Sequence, residues 1–448
     1  MLISFSFKNL FSFKDETTFS MVSGRAQKMA NQVISINESI DALKFSAIYG
    51  ANASGKSNFI KCMYEFGFLI LNGPHQYKHD YSFLGNAKEN NSAFECLLCD
   101  DENNILKYGF EYSYRTNKFV AEWLSTIEKS EEKRVFERNI AQGTFVFEVD
   151  LDQKDVERIK IYRDDLKKDG RNLFTKYIYN KKKFFSSKVL KIVASIYEWV
   201  EQKLEVTFPE DTLTSPKYYY STDGLDQISN FLKKYDTGID HLDKQIVDIS
   251  DFAKIAPTAI FSDIKERFSK PRKGFMTFHW KDNYYIFSNN SGQFKIEKIV
   301  FVHLINNKKV MLTFAQESDG TIRLLQLAAA LLSDETGKTF FIDEFDRCLH
   351  PLAVVQFVKD FLKNTDSNNQ LIITTHESLL MDLQILRRDE IWFVEKTDGI
   401  SALYSLEEFQ KRFDTRVNKQ YLEGRYGAIP VFQDSLGEII TDENIFEK

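Results

Sequence analysis

The sequence predicts an α/β fold: a strand–glycine loop–helix unit joined to an antiparallel β meander and a helical insertion. Three observations carry that reading. Gly50-Ala51-Asn52-Ala53-Ser54-Gly55-Lys56-Ser57 fits G-x-x-x-x-G-K-[ST], with both glycines, the lysine and the hydroxyl in register. An apolar run, Thr339-Phe340-Phe341-Ile342, ends in Asp343-Glu344, as a strand buried on both faces does when it reaches a site. Between the two, residues 94–127 hold three short aromatic or branched runs separated by turn residues, the pattern of a meander.

Taken in order, Ile3, Phe5 and Phe7 alternate with serines, and with residues 11–19 they read as a hairpin around Lys8-Asn9. Residues 24–44 are polar and read as loop. Residues 45–49 form a short apolar run that stops at the glycine loop, which reads as a buried strand. From Asn58 onward Phe59, Ile60, Met63, Phe66 and Leu69 recur close to helical spacing. Residues 94–98, 106–114 and 119–127 are the meander, with turns at 100–104 and 115–118, and 145–150 adds a strand. From about residue 151 the pattern changes. Val189, Ile192, Val193, Ile196, Tyr197 and Val200 make a helical stripe, and Leu225, Ile228, Phe231 and Leu232 a shorter one. Residues 151–270 therefore read as a helical insertion between a first half, 1–150, and a second, 271–448. Strands return at 275–280, 284–287, 294–304 and 310–314, with Asn306-Asn307 as a turn. After Asp343-Glu344, Pro351 can start a helix whose apolar face is Leu352, Val355, Val358 and Leu362. Residues 371–375 are another buried strand, with His376 at its carboxyl end; this is a βαβ crossover.

Composition bounds the rest. The 448 residues suffice for two or three domains with a sizeable core. A net charge of −6 gives no global basic character, so any nucleic-acid contact must be local. Forty phenylalanines and twenty tyrosines argue for a folded chain. Four cysteines make no disulfide framework, which points to a reducing cytoplasm. No apolar run is long enough to span a membrane.

In a strand–loop–helix context, backbone N–H groups and a helix N-terminus face a triphosphate. Lys56 then reaches the β- and γ-phosphates and Ser57 ligates Mg²⁺. Asp343 suits Mg²⁺ coordination and Glu344 the activation of water. Ligands bind at the carboxyl ends of parallel strands, so Asp343, Glu344 and His376 are expected on one edge with the glycine loop. Upstream, Glu317-Ser318-Asp319-Gly320-Thr321 precedes a helical stretch that Ser318 or Asp319 can cap, giving a second anion-binding helix N-terminus. Other signals read as structural. Cys96 and Cys99 would point to opposite faces of a strand and cannot share an ion there. Glu148, Asp150 and Asp152 read as a solvated strand face. Lys181-Lys182-Lys183 with Lys188 and Lys191, and the patch Arg267, Lys270, Arg272 and Lys273, read as solvated faces, with contact to a nucleic-acid backbone as the alternative.

Together these residues resemble the ABC-type ATPases, in the branch shared by SMC proteins and overcoming-lysogenisation-defect nucleases. Gly50 to Ser57 match the Walker A motif, and Asn58 follows it. Ser318-Asp319-Gly320-Thr321 match the signature motif, Phe340 to Glu344 Walker B, Phe345 to Leu349 the D-loop, and His376 the switch histidine. Gln76 is the candidate for the Q-loop. The sequence is also similar to the ATP-binding proteins of bacterial abortive-infection operons, through Leu386-Arg387-Arg388-Asp389-Glu390-Ile391-Trp392-Phe393-Val394-Glu395-Lys396, Leu403-Tyr404-Ser405-Leu406 and the stretch from Tyr421 to Pro430. The resemblance implies an ABC-type P-loop fold, ATP and Mg²⁺ as cofactors, and ATP hydrolysis with Glu344 and His376 as catalytic residues. It further implies a homodimer or higher homo-oligomer that closes each Walker A loop on the partner's Ser318 and Gly320. A separately encoded nuclease or toxin would be the effector, nucleic acid a candidate further partner, and the cytoplasm the location. The competing expectations are an SMC-like DNA-repair ATPase, which calls for heptad arms that 151–270 lacks, and a self-contained nuclease, for which little chain follows His376.

Overall fold

The computed structural model describes residues 1–24, 29–38, 40–75, 81–83, 91–129, 131–148, 151–211, 219, 221–268, 274–280, 283–290, 293–364, 367–409 and 417–430. It divides into two units. The first is Met1–Val206, Glu335–Phe345 and Val358–Lys448; the second is Thr207–Asp334 and Asp346–Phe357.

The first unit opens with β1 (Leu2–Lys8) and β2 (Thr17–Ser20), which pair antiparallel, then β3 (Val33–Ser35), β4 (Asp41–Leu43) and β5 (Phe45–Tyr49). Helix α1 (Lys56–Asn72) follows, then the meander β6 (Ser92–Cys99), β7 (Ile105–Ser113), β8 (Lys118–Glu128), β9 (Glu131–Asn139) and β10 (Thr144–Phe147). Next come α2 (Gln153–Leu166), α3 (Phe174–Tyr179), α4 (Lys188–Gln202) and β11 (Leu204–Thr207). The second unit holds β12 (Ile239–Val247), β13 (Gly274–Trp280), β14 (Asn283–Asn290), β15 (Gln293–Ile305) and β16 (Lys308–Leu312). The chain returns to the first unit with β17 (Thr339–Ile342), β18 (Gln370–Thr374), β19 (Ile391–Thr397) and β20 (Ile400–Ser405).

Among the described residues the first unit holds two large sheets and the small two-stranded sheet β3-β4. One has the order β10-β9-β8-β7-β6-β1-β2. The other, β11-β17-β18-β5-β19-β20, is parallel from β17 through β19. β5, β17 and β18 are buried along their whole length, which is why their sequences are continuous apolar runs rather than alternating ones. Helix α1 packs on both sheets. Phe66 stacks on Phe110 of β7 with ring centroids 5.6 Å apart and meets Phe5 of β1 at the same separation. Two turns earlier Phe59 meets Phe7 of β1 and Phe341 of β17, each at 6.1 Å. Aromatic pairs at these separations add to the burial of each ring. The glycine loop therefore begins a helix clamped at two levels. Gln370 ties the same region together by hydrogen bonds: its side chain accepts from the Leu2 amide and donates to the Leu2 and Leu43 carbonyls.

The second unit is an antiparallel sheet in the order β12-β15-β14-β13, with β16 also on β15. Its core joins Phe252, Ala256 and Ile264 to Tyr285, Phe287 and Ile296.

Three expectations differ from this structure. Residues 24–44 are not all loop: Val33–Ser35 pairs with Asp41–Leu43, because Ile34, Ala42 and Leu43 are buried. β9 was not expected; Glu131, Glu132, Lys133 and Arg134 are all exposed, and backbone pairing with β8 forms the strand without apolar alternation. Residues 151–270 do not form one helical body. Residues up to Val206 belong with the first unit, where Val200 and Leu204 approach Gly67 of α1, and β12 lies in the antiparallel sheet of the second. No helix among the described residues is long and apolar enough to cross a membrane.

Candidate nucleotide site

The glycine loop runs from the end of β5 into α1, and each glycine has a geometric reason. Gly55, the residue before α1, has φ 119°, a left-handed conformation that a side chain disfavours. At Gly50 a Cβ would lie 2.4 Å from the Val394 carbonyl oxygen, so the loop can pass β19 only without one. The Lys56 ammonium donates to the carbonyls of Gly50 at 2.8 Å and Ala51 at 3.0 Å, which centres its charge over the loop.

A network of small polar side chains holds the loop from behind. Ser401 Oγ lies 2.6 Å from the Ser54 carbonyl oxygen and 2.8 Å from Ser12 Oγ. The Ser401 amide donates to the Ser12 carbonyl, and Asn58 Nδ2 donates to Ser12 Oγ at 2.8 Å. The side chain of Asn58, expected among the nucleotide contacts, is thus engaged in supporting the loop.

Asp343 and Glu344 stand at the carboxyl end of β17. Thr374, at the end of neighbouring β18, orients both: its hydroxyl donates to Asp343 Oδ1 at 2.5 Å and accepts from the Glu344 amide at 2.8 Å. Asp343 is buried and Glu344 exposed, with the Glu344 backbone at φ 44°. Asn52, Ala53, Gly55, Lys56, Ser57, Asn58, Glu344, His376 and Lys396 line one cavity of about 290 Å³. The first unit thus brings the glycine loop, Glu344 and His376 together, as β-strand ends predict. Ser12, Ser401 and Thr374 were not singled out by sequence reasoning, since none of them belongs to a local motif, and Lys396 entered only as the last residue of the 386–396 stretch of resemblance, with no role given to it.

These residues fit a Mg-nucleotide. The Ser54 hydroxyl is buried in the loop with no hydrogen-bond partner among the described residues, and a loop that excludes Cβ atoms at Gly50 and Gly55 leaves its backbone amides approachable. Ser57 and Asp343 are oxygen donors of the kind Mg²⁺ takes.

Ser318 and Gly320 belong to the second unit. Ser318 caps the helix Asp319–Leu332, its Oγ accepting from the Thr321 amide at 3.1 Å. A Cβ on Gly320 would lie 2.8 Å from the Cys348 carbonyl oxygen, so the signature turn sits directly on the expected D-loop. Their shared cavity is lined by Asp319, Arg323, Gln326 and Arg347 among others. Gln76 and the patch Arg267, Lys270, Arg272 and Lys273 lie outside the described residues or their described side chains, as does Asp150.

The remaining signals resolve structurally. Cys96 and Cys99 are both buried, and burial raises both thiols. Among the described residues no group of three His, Cys, Asp or Glu could hold a metal ion. In the basic run, the Lys181 ammonium lies over the rings of Tyr162 and Tyr177, and Lys182 pairs with Glu198.

A parallel sheet with the glycine loop on β5, the acid pair on β17 and a histidine after β18 has the arrangement of the P-loop ATPase fold. The chain belongs to the family described as "AAA domain, putative AbiEii toxin, Type IV TA system", whose model matches residues 45–382. No curated protein matches it. Similar solved structures include the SMC head domain from Thermotoga maritima, 14% identical, covering 90% of this chain and 98% of that one, with a TM-score of 0.34. An SMC head bound to the C-winged helix domain of ScpA is also 14% identical, covering 90% and 97%, at 0.37. The recombination mediator RecF is 14% identical, covering 90% and 98%, at 0.34.

Proposed function

We propose that this chain is the ATP-binding and hydrolysing switch subunit of a bacterial anti-phage defence system, controlling a partner nuclease or toxin. The observation that carries the nucleotide half of this reading is the single cavity shared by Lys56, Ser57, Glu344 and His376. The defence half is supported by the family and by the abortive-infection-like carboxy-terminal stretch.

The chemistry follows from side-chain type. Lys56 is a point charge for the β- and γ-phosphates, pre-positioned by the loop carbonyls. When bound, Mg²⁺, held by Ser57 and Asp343, would neutralise charge on the phosphates. Glu344 accepts a proton from the attacking water, its backbone fixed by Thr374. His376, two residues past β18, lines the same cavity and would orient the terminal phosphate. Ser318 and Gly320 offer a second anion-binding helix N-terminus. In this mechanism they act on the nucleotide held by a second copy of the chain, so a two-fold pair completes both sites at once. Hydrolysis then reopens the pair and changes what a partner effector can reach.

The test is sedimentation in Mg-ATP of Glu344→Gln with and without Ser318→Arg, together with hydrolysis by Ser318→Arg in the otherwise unaltered chain. ATP-dependent association lost in the double variant, with hydrolysis lost and ATP binding retained in Ser318→Arg, supports the shared site. Equal association of both variants, with normal hydrolysis by Ser318→Arg, overturns it.

A further inference from the structure

We propose that Lys396 is a second phosphate-binding cation of the nucleotide site, carried there by the β19–β20 hairpin. The proposal rests on the nucleotide reading above and extends it to a residue outside the glycine loop and the acid pair.

β19 pairs with β5 through Ile391, Trp392 and Phe393, opposite Ala47, Ile48 and Tyr49. β5 then ends at the glycine loop, but β19 continues as a hairpin with β20. The loop runs against that continuation, since the Val394 carbonyl oxygen is the atom that forbids a Cβ at Gly50. Strand residues two apart share a face, so Lys396 lies on the face of Val394. Glu395 lies on the other, where its carboxylate accepts from the Tyr404 hydroxyl and the Ala428 amide. The hairpin is anchored to the loop at the level of Lys396: Ser401, its partner in register, is the residue whose Oγ reaches the Ser54 carbonyl. The backbone that carries Lys396 is therefore fixed relative to Gly55 and Lys56.

The side chain lines the same cavity as Asn52, Ala53, Lys56 and Ser57. It is exposed, and no ion pair among the described residues uses it. An exposed ammonium on a long stem keeps its hydration and costs little to hold beside a polar cavity. A Mg-nucleotide carries more negative charge than Lys56 alone offsets, and a second ammonium at the rim supplies charge-assisted hydrogen bonds to phosphate oxygens. Lys396 then favours nucleotides by the number of their phosphates.

The experiment titrates Mg-ATP and AMP against the wild-type chain, Lys396→Ala, Lys396→Arg and Lys56→Ala, at low and at high salt. Lys396→Ala should bind Mg-ATP roughly tenfold more weakly at low salt, the scale of one hydrogen bond to a charged group. The deficit should shrink at high salt, be smaller for AMP, and be largely restored in Lys396→Arg. Affinity within about twofold of wild type at low salt overturns the proposal, as does an equal loss in Lys396→Ala and Lys396→Arg, which marks a merely structural side chain. Failure of the underlying reading is separate: a wild-type chain that does not bind Mg-ATP, or binding that survives Lys56→Ala, removes the nucleotide site itself.

Discussion

Glu122→Ala should be among the most damaging substitutions available outside the nucleotide site. Glu122 on β8 and Arg138 on β9 are both fully buried and 2.7 Å apart. The Glu122 carboxylate also accepts from the Phe174 and Thr175 amides, the Thr175 hydroxyl and the Tyr108 hydroxyl. Arg138 donates in turn to the carbonyls of Leu166, Asp169 and Asn172. The pair thus pins residues 166–175, which link α2 to α3, onto the meander. Removing Glu122 leaves a buried guanidinium with no counter-charge and two amides at the start of α3 unpaired. Breaking one side of a buried pair costs about 3–5 kcal/mol. With a urea dependence of about 3 kcal/mol per M, the midpoint falls by roughly 1–2 M. Because the chain has two units, the most specific readout is hydrogen exchange at Phe174 and Thr175, whose protection should drop first. Arg138→Met should cost a comparable amount, and the two together less than their sum by about 2 kcal/mol. Additive losses within about 0.5 kcal/mol would show that the two charges do not act as a unit.

Three further outcomes are expected. Lys56→Ala should abolish ATP binding in a direct titration, since it removes the charge held over the loop; unchanged affinity would sink the assignment. Glu344→Gln should bind ATP but turn it over about 10²–10⁴-fold more slowly, because an amide cannot take the proton from water; wild-type turnover excludes Glu344 as the base. Burial, with the nearby Asp389 carboxylate adding to it, holds the fully buried Glu390 carboxyl well above the usual carboxylate range. The fold therefore retains a proton that the unfolded chain releases above a pH of about 4.3, and the associated stability is present below that pH and lost as pH rises toward the folded-state value. Glu390→Gln, which keeps an acceptor for the Arg387 amide, should flatten that decline in urea denaturation across about pH 5–8; an unchanged slope removes Glu390 from the account.

What was legible in the sequence was what is written locally. The glycine loop announces itself in eight consecutive residues, and β5, β17 and β18 read as strands because a strand covered on both faces must be apolar throughout. The Ser318 cap was visible because a cap and its helix are neighbours in sequence. β9 was not legible, because its first four residues face solvent and only pairing with β8 makes them a strand. β12 was also hidden: Ile-Asp-His-Leu-Asp-Lys-Gln-Ile-Val has few apolar residues and only Ile239 and Leu242 buried. The apolar stripe of α4 correctly foretold a helix but not its partner, since a stripe does not say what it packs against. Around the loop, Ser12 and Ser401 are ordinary serines 389 positions apart. Their role exists only once both ends of the first unit have met.

That last contact bears on when the nucleotide loop can exist at all. Residues 12, 54, 58 and 401 must be assembled before Gly55 has its frame, and closing so long a span is among the slowest kinds of contact a chain makes. During synthesis, which runs from the amino terminus, Ser401 follows Ser54 of the loop by 347 positions, and β19 and β20 arrive with it. A ribosome-bound chain therefore carries the loop as sequence long before it carries it as shape. Nucleotide cannot serve this protein as an early template for folding; it can only reward a chain whose carboxy-terminal hairpin has already docked.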